Sequence, residues 1–165
     1  MKRWYPRIFS IGQHQDADLF MCLDAADAYE EVYEVARSDL IVDGRIEAIS
    51  ARLPGLSEQR FAQLQDIESI LEYLETRSRV KMVEKTKYYM EHYQRTLSDR
   101  VAKDYAEVST EVQTVNHVLQ RVAYVRNLFL GISKGFEYMQ YQISNVTKLR
   151  CAGLEDATID GRRHH

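Results

Sequence analysis

The spacing of hydrophobic residues predicts a chain that is almost entirely helical. From Asp16 onward, apolar residues recur at intervals of three and four, as on a helix with one buried face. The first such helix, from Asp16 to Glu34, carries acidic residues on its other face. Leu53-Pro54-Gly55 interrupts the pattern and is predicted to be a turn, after which Ser57 suits the N-cap of a second helix.

The second predicted helix continues past Ser57 without a chain breaker for about forty residues. Its first apolar positions alternate steps of three and four, as in a coiled-coil seam: Leu64, Ile67, Leu71 and Leu74. The register then shifts between Ser78 and Val83, which predicts a stutter or a local break.

A third helix, capped by Ser98 and Asp99, has the most regular apolar face in the chain. We expect this face to form an oligomerisation surface made of Val101, Tyr105, Val108, Val112, Val115, Leu119, Val122, Phe129, Ile132, Phe136 and Ile143. Gly131 and Gly135 lie within it. They indicate either the close approach of another helix or a kink that divides the element.

The two long helices exceed what a monomer of this size normally contains, so we expect them to pair and to leave apolar surface for another chain. The predicted fold is all-α: a long antiparallel helical hairpin or coiled-coil-like bundle with an N-terminal acidic helix, assembled as a homo-oligomer. Residues 1–55 would form an N-terminal arm and the acidic helix. Residues 56–154 would form the hairpin core and the oligomerisation region, and residues 155–165 a flexible tail.

Charge is unevenly distributed along the chain, although the net charge is only −3. Residues 1–70 carry 7 Lys/Arg against 13 Asp/Glu, whereas residues 71–150 carry 13 against 9. The acidic front and the basic middle either attract each other or are ordinary solvated helix surface. No hydrophobic run is long enough for a membrane span or a signal-peptide core, which predicts a cytoplasmic protein without a membrane partner.

The sequence contains no recognisable catalytic, metal or nucleotide motif. His14, His92 and His117 lack the Glu three residues earlier that di-iron bundles require, and Cys22 and Cys151 are far apart. We therefore expect no enzyme activity, no metal and no cofactor, and two buried thiols that act as small hydrophobic residues.

One strip of the second helix combines positive charge with aromatic rings. Its members are Arg77, Arg79, Lys81, Lys85, Lys87, Tyr88, Tyr89, His92 and Arg95. Cations that neutralise phosphates beside rings that stack on bases are typical of sequence-independent single-strand binding. Alternatively, the tyrosines are packing residues and the cations are a solvated face. Arg121, Arg126, Lys134, Lys148 and Arg150 either add a second cationic surface or form the solvated side of the last helix.

Two short segments resemble the UvsY recombination mediators of tailed phages. The run Tyr141–Asn145, the following Val146–Arg150 and then Gly153 are similar to the aromatic-Gln-Ile-x-Asn run and closing glycine of that family's final helix. Lys85–Tyr89 is similar to its basic segment before a paired tyrosine. Met139 replaces the arginine expected before the run, a loop after the tyrosine pair is missing, and residues 1–55 have no counterpart.

The resemblance implies a ring-forming protein that binds single-stranded DNA and loads a phage recombinase, working in the host cytoplasm. The first functional expectation is therefore a non-catalytic, oligomeric, single-strand-binding recombination mediator whose partners are single-stranded DNA and a recombinase or other protein. The alternative is a structural or adaptor coiled-coil protein, such as a phage or bacterial scaffold or assembly factor, with no nucleic-acid role.

Overall fold

The computed structural model describes Trp4, Ile8 and residues 17–41, 45–93 and 95–154. The elements bounded within these residues are four helices, α1 (Ala17–Ser38), α2 (Ile46–His92), α3 (Asp99–Glu107) and α4 (Thr110–Cys151). The described residues contain no strand, which confirms the all-α prediction. None of these helices is long and apolar enough to cross a membrane. The predicted tail, 155–165, lies outside the described residues.

The predicted turn at Leu53-Pro54-Gly55 is wrong, because α2 passes through Pro54 without ending. Proline lacks the amide hydrogen for the helical bond to the residue four earlier, and it normally kinks or ends a helix. Here Ile46 before it and Leu64 after it are both buried, so packing on both sides stabilises one helix despite the proline. Ser57 consequently lies inside α2 and is not an N-cap, and no break occurs between residues 78 and 83.

The third predicted helix is divided into α3 and α4 at Val108 and Ser109. The Ser98 N-cap is confirmed, since its hydroxyl accepts a hydrogen bond from the Val101 amide. At the break, the buried Ser109 hydroxyl donates to the Ala106 carbonyl over 2.7 Å. The Gln113 side chain donates to the Glu107 carbonyl over 2.7 Å. These side chains bond to carbonyls at the end of α3, where helical amide partners are missing.

The first of two units, Met1–Asp27 with Asp66–Val125, has a core of aliphatic side chains from α2 and α4. Its largest fully buried members are Ile67, Ile70, Leu74, Val112, Val115, Val122 and Val125. The Ser78 hydroxyl donates to the Asn116 side chain over 2.6 Å, and Arg121 pairs with Asp27 at 2.8 Å.

The N-terminal arm is described at Trp4 and Ile8. The Trp4 amide donates to the Asp66 carboxylate over 3.0 Å, and Ile8 is buried. The first of these contacts joins the arm to α2 at Asp66. The rest of the arm lies outside the described residues.

The second unit, Ala28–Gln65 with Arg126–His165, contains an aromatic core and an ion pair between a buried arginine and a half-buried aspartate. The fully buried Phe129 ring meets Tyr29 edge-on, with ring centroids 5.8 Å apart. Arg60 is buried and donates through Nε to Asp39 over 2.9 Å.

The two glycines of α4 differ in their surroundings. The helix is continuous through both, so the kink alternative is wrong. A Cβ atom built on Gly135 would lie 2.6 Å from Leu40 Cδ1, whereas one built on Gly131 would meet nothing within 4 Å. The group that lies close to Gly135 is therefore the Leu40 side chain, in the turn just beyond the end of α1, and not the backbone of another helix.

The two cysteines also differ. Cys22 is fully buried in α1, as expected, whereas Cys151 at the end of α4 is exposed. The prediction of two buried thiols is therefore wrong for Cys151.

Candidate nucleic-acid interface

The predicted basic and aromatic strip lies on the C-terminal half of α2 and the residues that follow, within the first unit. The exposed members are Arg79, Lys87, Tyr88, His92 and Arg95. The half-buried members are Arg77, Lys81, Lys85 and Tyr89. Residues 77–95 contain six Lys/Arg and two Glu, which gives a net charge of +4 with neutral histidine. Because no member of the strip is buried, a ligand can reach part of every side chain.

Three lysines of the strip are paired with carboxylates. Lys81 contacts Glu84 at 2.9 Å and Lys87 contacts Glu91 at 3.8 Å, both within α2. Lys85 forms an ion pair with Glu111 of α4. Exposed pairs of this kind contribute little free energy, so a phosphate can compete for these ammonium groups.

The Lys85–Glu111 pair shifts the ionisation of both groups. The hydrogen bond to Glu111 raises the pKa of Lys85 above its ordinary value of 10.5. The same bond lowers the pKa of Glu111 below its ordinary value of 4.5. Both groups are therefore charged at neutral pH.

Aromatic side chains from α2, α3 and the segment between them form one cluster, which we call the ring cluster. It contains Tyr88, Tyr89, His92, Tyr93 and Tyr105. Tyr88 stacks on His92 at 4.7 Å and meets Tyr89 at 5.6 Å. Tyr105 lies 5.7 Å from Tyr89 and stacks on Tyr93 at 5.4 Å, all between ring centroids. The five rings are thus linked in one continuous series.

Helical spacing accounts for part of the ring cluster. Tyr88 and His92 are four residues apart on α2, which places one above the other. Tyr93 and Tyr105 join from beyond the end of α2, and the Tyr93 hydroxyl donates to that of Tyr105 over 3.5 Å. This hydrogen bond raises the pKa of Tyr93 above its ordinary value of 10.0.

The sequence analysis placed neither Tyr93 nor Tyr105 in the interface, and it assigned Tyr105 to the oligomerisation surface. The four-residue spacing of Tyr89 and Tyr93 was the available signal for Tyr93. Tyr105 had no local signal, because it meets the other rings only through the fold.

The ring cluster has the chemistry of a stacking surface. Tyr88, Tyr93 and Tyr105 keep 52%, 45% and 39% of their surface exposed. The Lys85 ammonium lies 5.7 Å from the centre of the Tyr88 ring. Exposed rings beside a cation can accept a nucleic-acid base next to its own phosphate.

Comparisons with protein-family models, curated proteins and solved structures gave no match.

The segment that resembles the end of the UvsY family lies on the last turns of α4. Tyr141 is exposed and Ile143 is half-buried. Gly153 follows the helix with a φ of 90°, a left-handed conformation that favours glycine. Its amide bonds to the Arg150 carbonyl, and the Leu154 amide bonds to the Leu149 carbonyl, each over 3.1 Å. The closing glycine therefore has a local physical role as a helix cap.

The cations of α4 divide into two groups. Arg121 and Arg150 pair with Asp27 and Glu47, at 2.8 and 3.1 Å. Arg126 donates to Asn127 over 3.2 Å. Lys134 and Lys148 have no ion pair among the described residues. They share an exposed face with two tyrosines in steps of four, three and seven: Lys134, Tyr138, Tyr141 and Lys148. This face combines lysines with tyrosines, as the strip on α2 does, but its tyrosines form no ring cluster among the described residues.

The predicted oligomerisation residues separate by burial. Those buried within the chain itself are Val112, Val115, Val122, Phe129, Ile132 and Phe136. Leu119 and Ile143 are half-buried, and Val101, Tyr105 and Val108 are exposed. Side chains already covered by their own chain pack the core, so the buried residues are not available to another copy, whereas the exposed and half-buried ones keep surface for it.

The described residues offer no group of three His, Cys, Asp or Glu side chains that could hold a metal ion. Two surface grooves occur in the second unit, with volumes of about 410 and 550 Å³. Leu53 lies in both, and Phe61 and Phe136 line the larger one. Neither groove combines a nucleophile with a histidine.

Proposed function

We propose that this chain is a non-catalytic accessory protein that binds single-stranded nucleic acid through the ring cluster and the adjoining cations. The observation that carries the proposal is the contact of five rings in one series, three of them substantially exposed, with the Lys85 ammonium over Tyr88. Stacking contributes about 1–3 kcal/mol per base in single-strand complexes. Rings that accept any base and cations that accept any phosphate would bind without strong sequence preference.

Assembly is the second part of the proposal. The chain would pair α2 with α4 as an antiparallel hairpin, which is supported by the contacts of Ser78 with Asn116 and of Lys85 with Glu111. Several copies would present several strips to one strand, and the high effective concentration would strengthen weak individual contacts. Loading of a recombinase, and work in the cytoplasm of a phage host, rest on the UvsY-type resemblance.

A structural or adaptor protein is the second candidate function. It is favoured by the carboxylate partners of Lys81, Lys85 and Lys87, which resemble the charge pairing of an ordinary helix surface. The carboxylate partners of these lysines lie on α2 and α4 and not on the acidic α1, so pairing with α1 does not support this candidate.

A titration of fluorescent single-stranded DNA separates the two functions. The test variant is Lys85→Gln with Tyr88→Ala, and the matched control is Lys134→Gln with Tyr138→Ala on α4. Both variants lose one positive charge and one exposed tyrosine. Glutamine is preferable to glutamate at position 85, because a glutamate there would face Glu111 and destabilise the fold.

The proposal predicts that the test variant loses at least about fivefold in affinity, since one stacked base alone contributes about 1–3 kcal/mol. Its salt dependence should also become shallower, by about 0.7 in the slope of log K against log salt for one phosphate contact. The control should bind as the natural protein does. Absence of binding by the natural protein at low salt refutes the proposal, and equal losses in both variants would show that affinity follows total charge. Circular dichroism verifies that both variants are folded.

A further inference from the structure

The outer face of α2 carries an exposed apolar stripe that includes Lys87 of the basic strip but no member of the ring cluster. Val80, Val83 and Met90 keep 49%, 65% and 48% of their surface exposed. Thr76, before them, and Lys87, between Val83 and Met90, are exposed as well and complete a spacing of four, three, four and three residues. This spacing is the heptad repeat of a coiled-coil seam, with positions 80 and 87 at a and positions 76, 83 and 90 at d.

The stripe points away from the core of its own unit. The side chains of α2 that meet the rest of the first unit include Leu74, Ser78 and Lys85, which are buried or bonded to α4. Val80 and Val83 fall on a different face of the helix. The α2 helix is already formed within the chain, so a second helix could dock without the cost of ordering this one.

Charged residues beside the stripe identify the occupant. In a parallel two-stranded coiled coil, each g position lies next to the e position of the following heptad in the other helix. With the seam as assigned, Arg79 occupies g and Glu84 occupies e. Two copies of α2 in parallel register would therefore form the Arg79–Glu84 pair twice, by symmetry. In an antiparallel pair, e meets e and g meets g, which brings like charges together.

We infer that the Val80–Met90 face of α2 is a parallel, two-fold coiled-coil interface whose occupant is α2 of a second copy of this chain. A lysine at a single a position costs stability but restricts the register and the number of strands, and Lys87 occupies such a position. The two-heptad seam is short, so pairing should be reversible. This interface differs from the predicted oligomerisation face, which lies on α3 and α4, and the inference rests on the oligomeric part of the proposed function.

Charge reversal tests the register. Arg79→Glu places two acidic groups together at each of the symmetric contacts, and Glu84→Arg places two basic groups together. The double variant restores an opposite pair and leaves the net charge of the natural protein unchanged. Sedimentation equilibrium, with reductant present and DNA absent, should show each single variant dimerising on the order of tenfold more weakly. The double variant should recover toward the natural dissociation constant.

A neutral variant tests the seam itself. Val80→Gln with Val83→Gln changes exposed side chains without altering charge, and it should abolish dimer formation. An unchanged dimer in this variant overturns the inference, as does a natural protein that stays monomeric at its highest soluble concentration. If the double charge variant dimerises as weakly as the two single variants, the parallel register is overturned. DNA titration of the neutral variant keeps the two proposals apart, because strand binding that survives loss of the dimer leaves the ring-cluster proposal intact.

Discussion

The glycine pair of α4 allows one contact to be measured against an internal control. Replacement of glycine by alanine inside a helix stabilises the folded state by about 1 kcal/mol when the new methyl group has space. Gly131→Ala meets that condition, because nothing lies within 4 Å of the added Cβ. We therefore expect Gly131→Ala to raise the free energy of unfolding by about 1 kcal/mol.

Gly135→Ala has the same gain in helix propensity but meets Leu40. The added Cβ would lie 2.6 and 2.9 Å from the two Leu40 methyl carbons, whereas carbon atoms normally pack at about 3.5–4.0 Å. The Leu40 side chain must therefore move by about 1 Å, and overpacking of this kind costs about 1–3 kcal/mol. The net expectation for Gly135→Ala runs from no change to a destabilisation of about 2 kcal/mol.

Urea unfolding followed by circular dichroism would measure both variants, together with Leu40→Ala and Leu40→Ala/Gly135→Ala. Without the Leu40 methyl groups, the alanine at position 135 should recover its gain of about 1 kcal/mol. The coupling between positions 40 and 135 is then about 1–3 kcal/mol. Equal stabilisation at positions 131 and 135, or a coupling below about 0.5 kcal/mol, would refute the close approach.

Two further predictions concern the core and the strip. Phe129→Ala removes a fully buried ring and should lower the free energy of unfolding by about 3–5 kcal/mol in urea, while Tyr138→Ala, at a ring that is 68% exposed, should stay within about 0.5 kcal/mol. Glu111→Gln removes the partner of Lys85. Because the pKa of Glu111 is lowered in the folded state, its stabilisation is present above the ordinary value of 4.5 and is lost as pH falls through the folded pKa. Urea unfolding of both proteins should therefore differ at pH 7 and converge in stronger acid, and a constant difference across that range would contradict the assignment.

Hydrophobic spacing predicted where helices form more reliably than where they end. The pattern from Val101 to Val122 is unbroken in the sequence, yet the chain leaves the helix at Val108 and Ser109. Spacing indicates which residues face the core, and two helices in succession can keep that spacing. At Pro54 the sequence contains a residue that normally ends a helix. The helix α2 nevertheless continues, because the residues on both sides of Pro54 are packed.

The sequence alone indicated the cations of the candidate interface, but it did not indicate the side chains that contact them. Helical spacing placed Lys85 and Tyr88 on neighbouring turns, as the structure has them. The pairing of Lys85 with Glu111 and the entry of Tyr105 into the ring cluster both depend on tertiary contacts. The burial of α4 depends on tertiary contacts in the same way. The spacing of its apolar residues predicted a buried face, but it did not show that other residues of the same chain would bury most of that face.

The unequal exposure of the two cysteines gives the folded protein only one readily oxidised thiol among the described residues. Cys22 can meet an oxidant or an alkylating reagent only when α1 opens, whereas Cys151 is accessible in the native state. Disulfide formation between native molecules would therefore tether them by the tail end of α4 and leave the α2 stripe untouched. Ageing in air would produce a covalent pair with the mass of the proposed reversible dimer, but this pair would persist on dilution until a reducing agent is added.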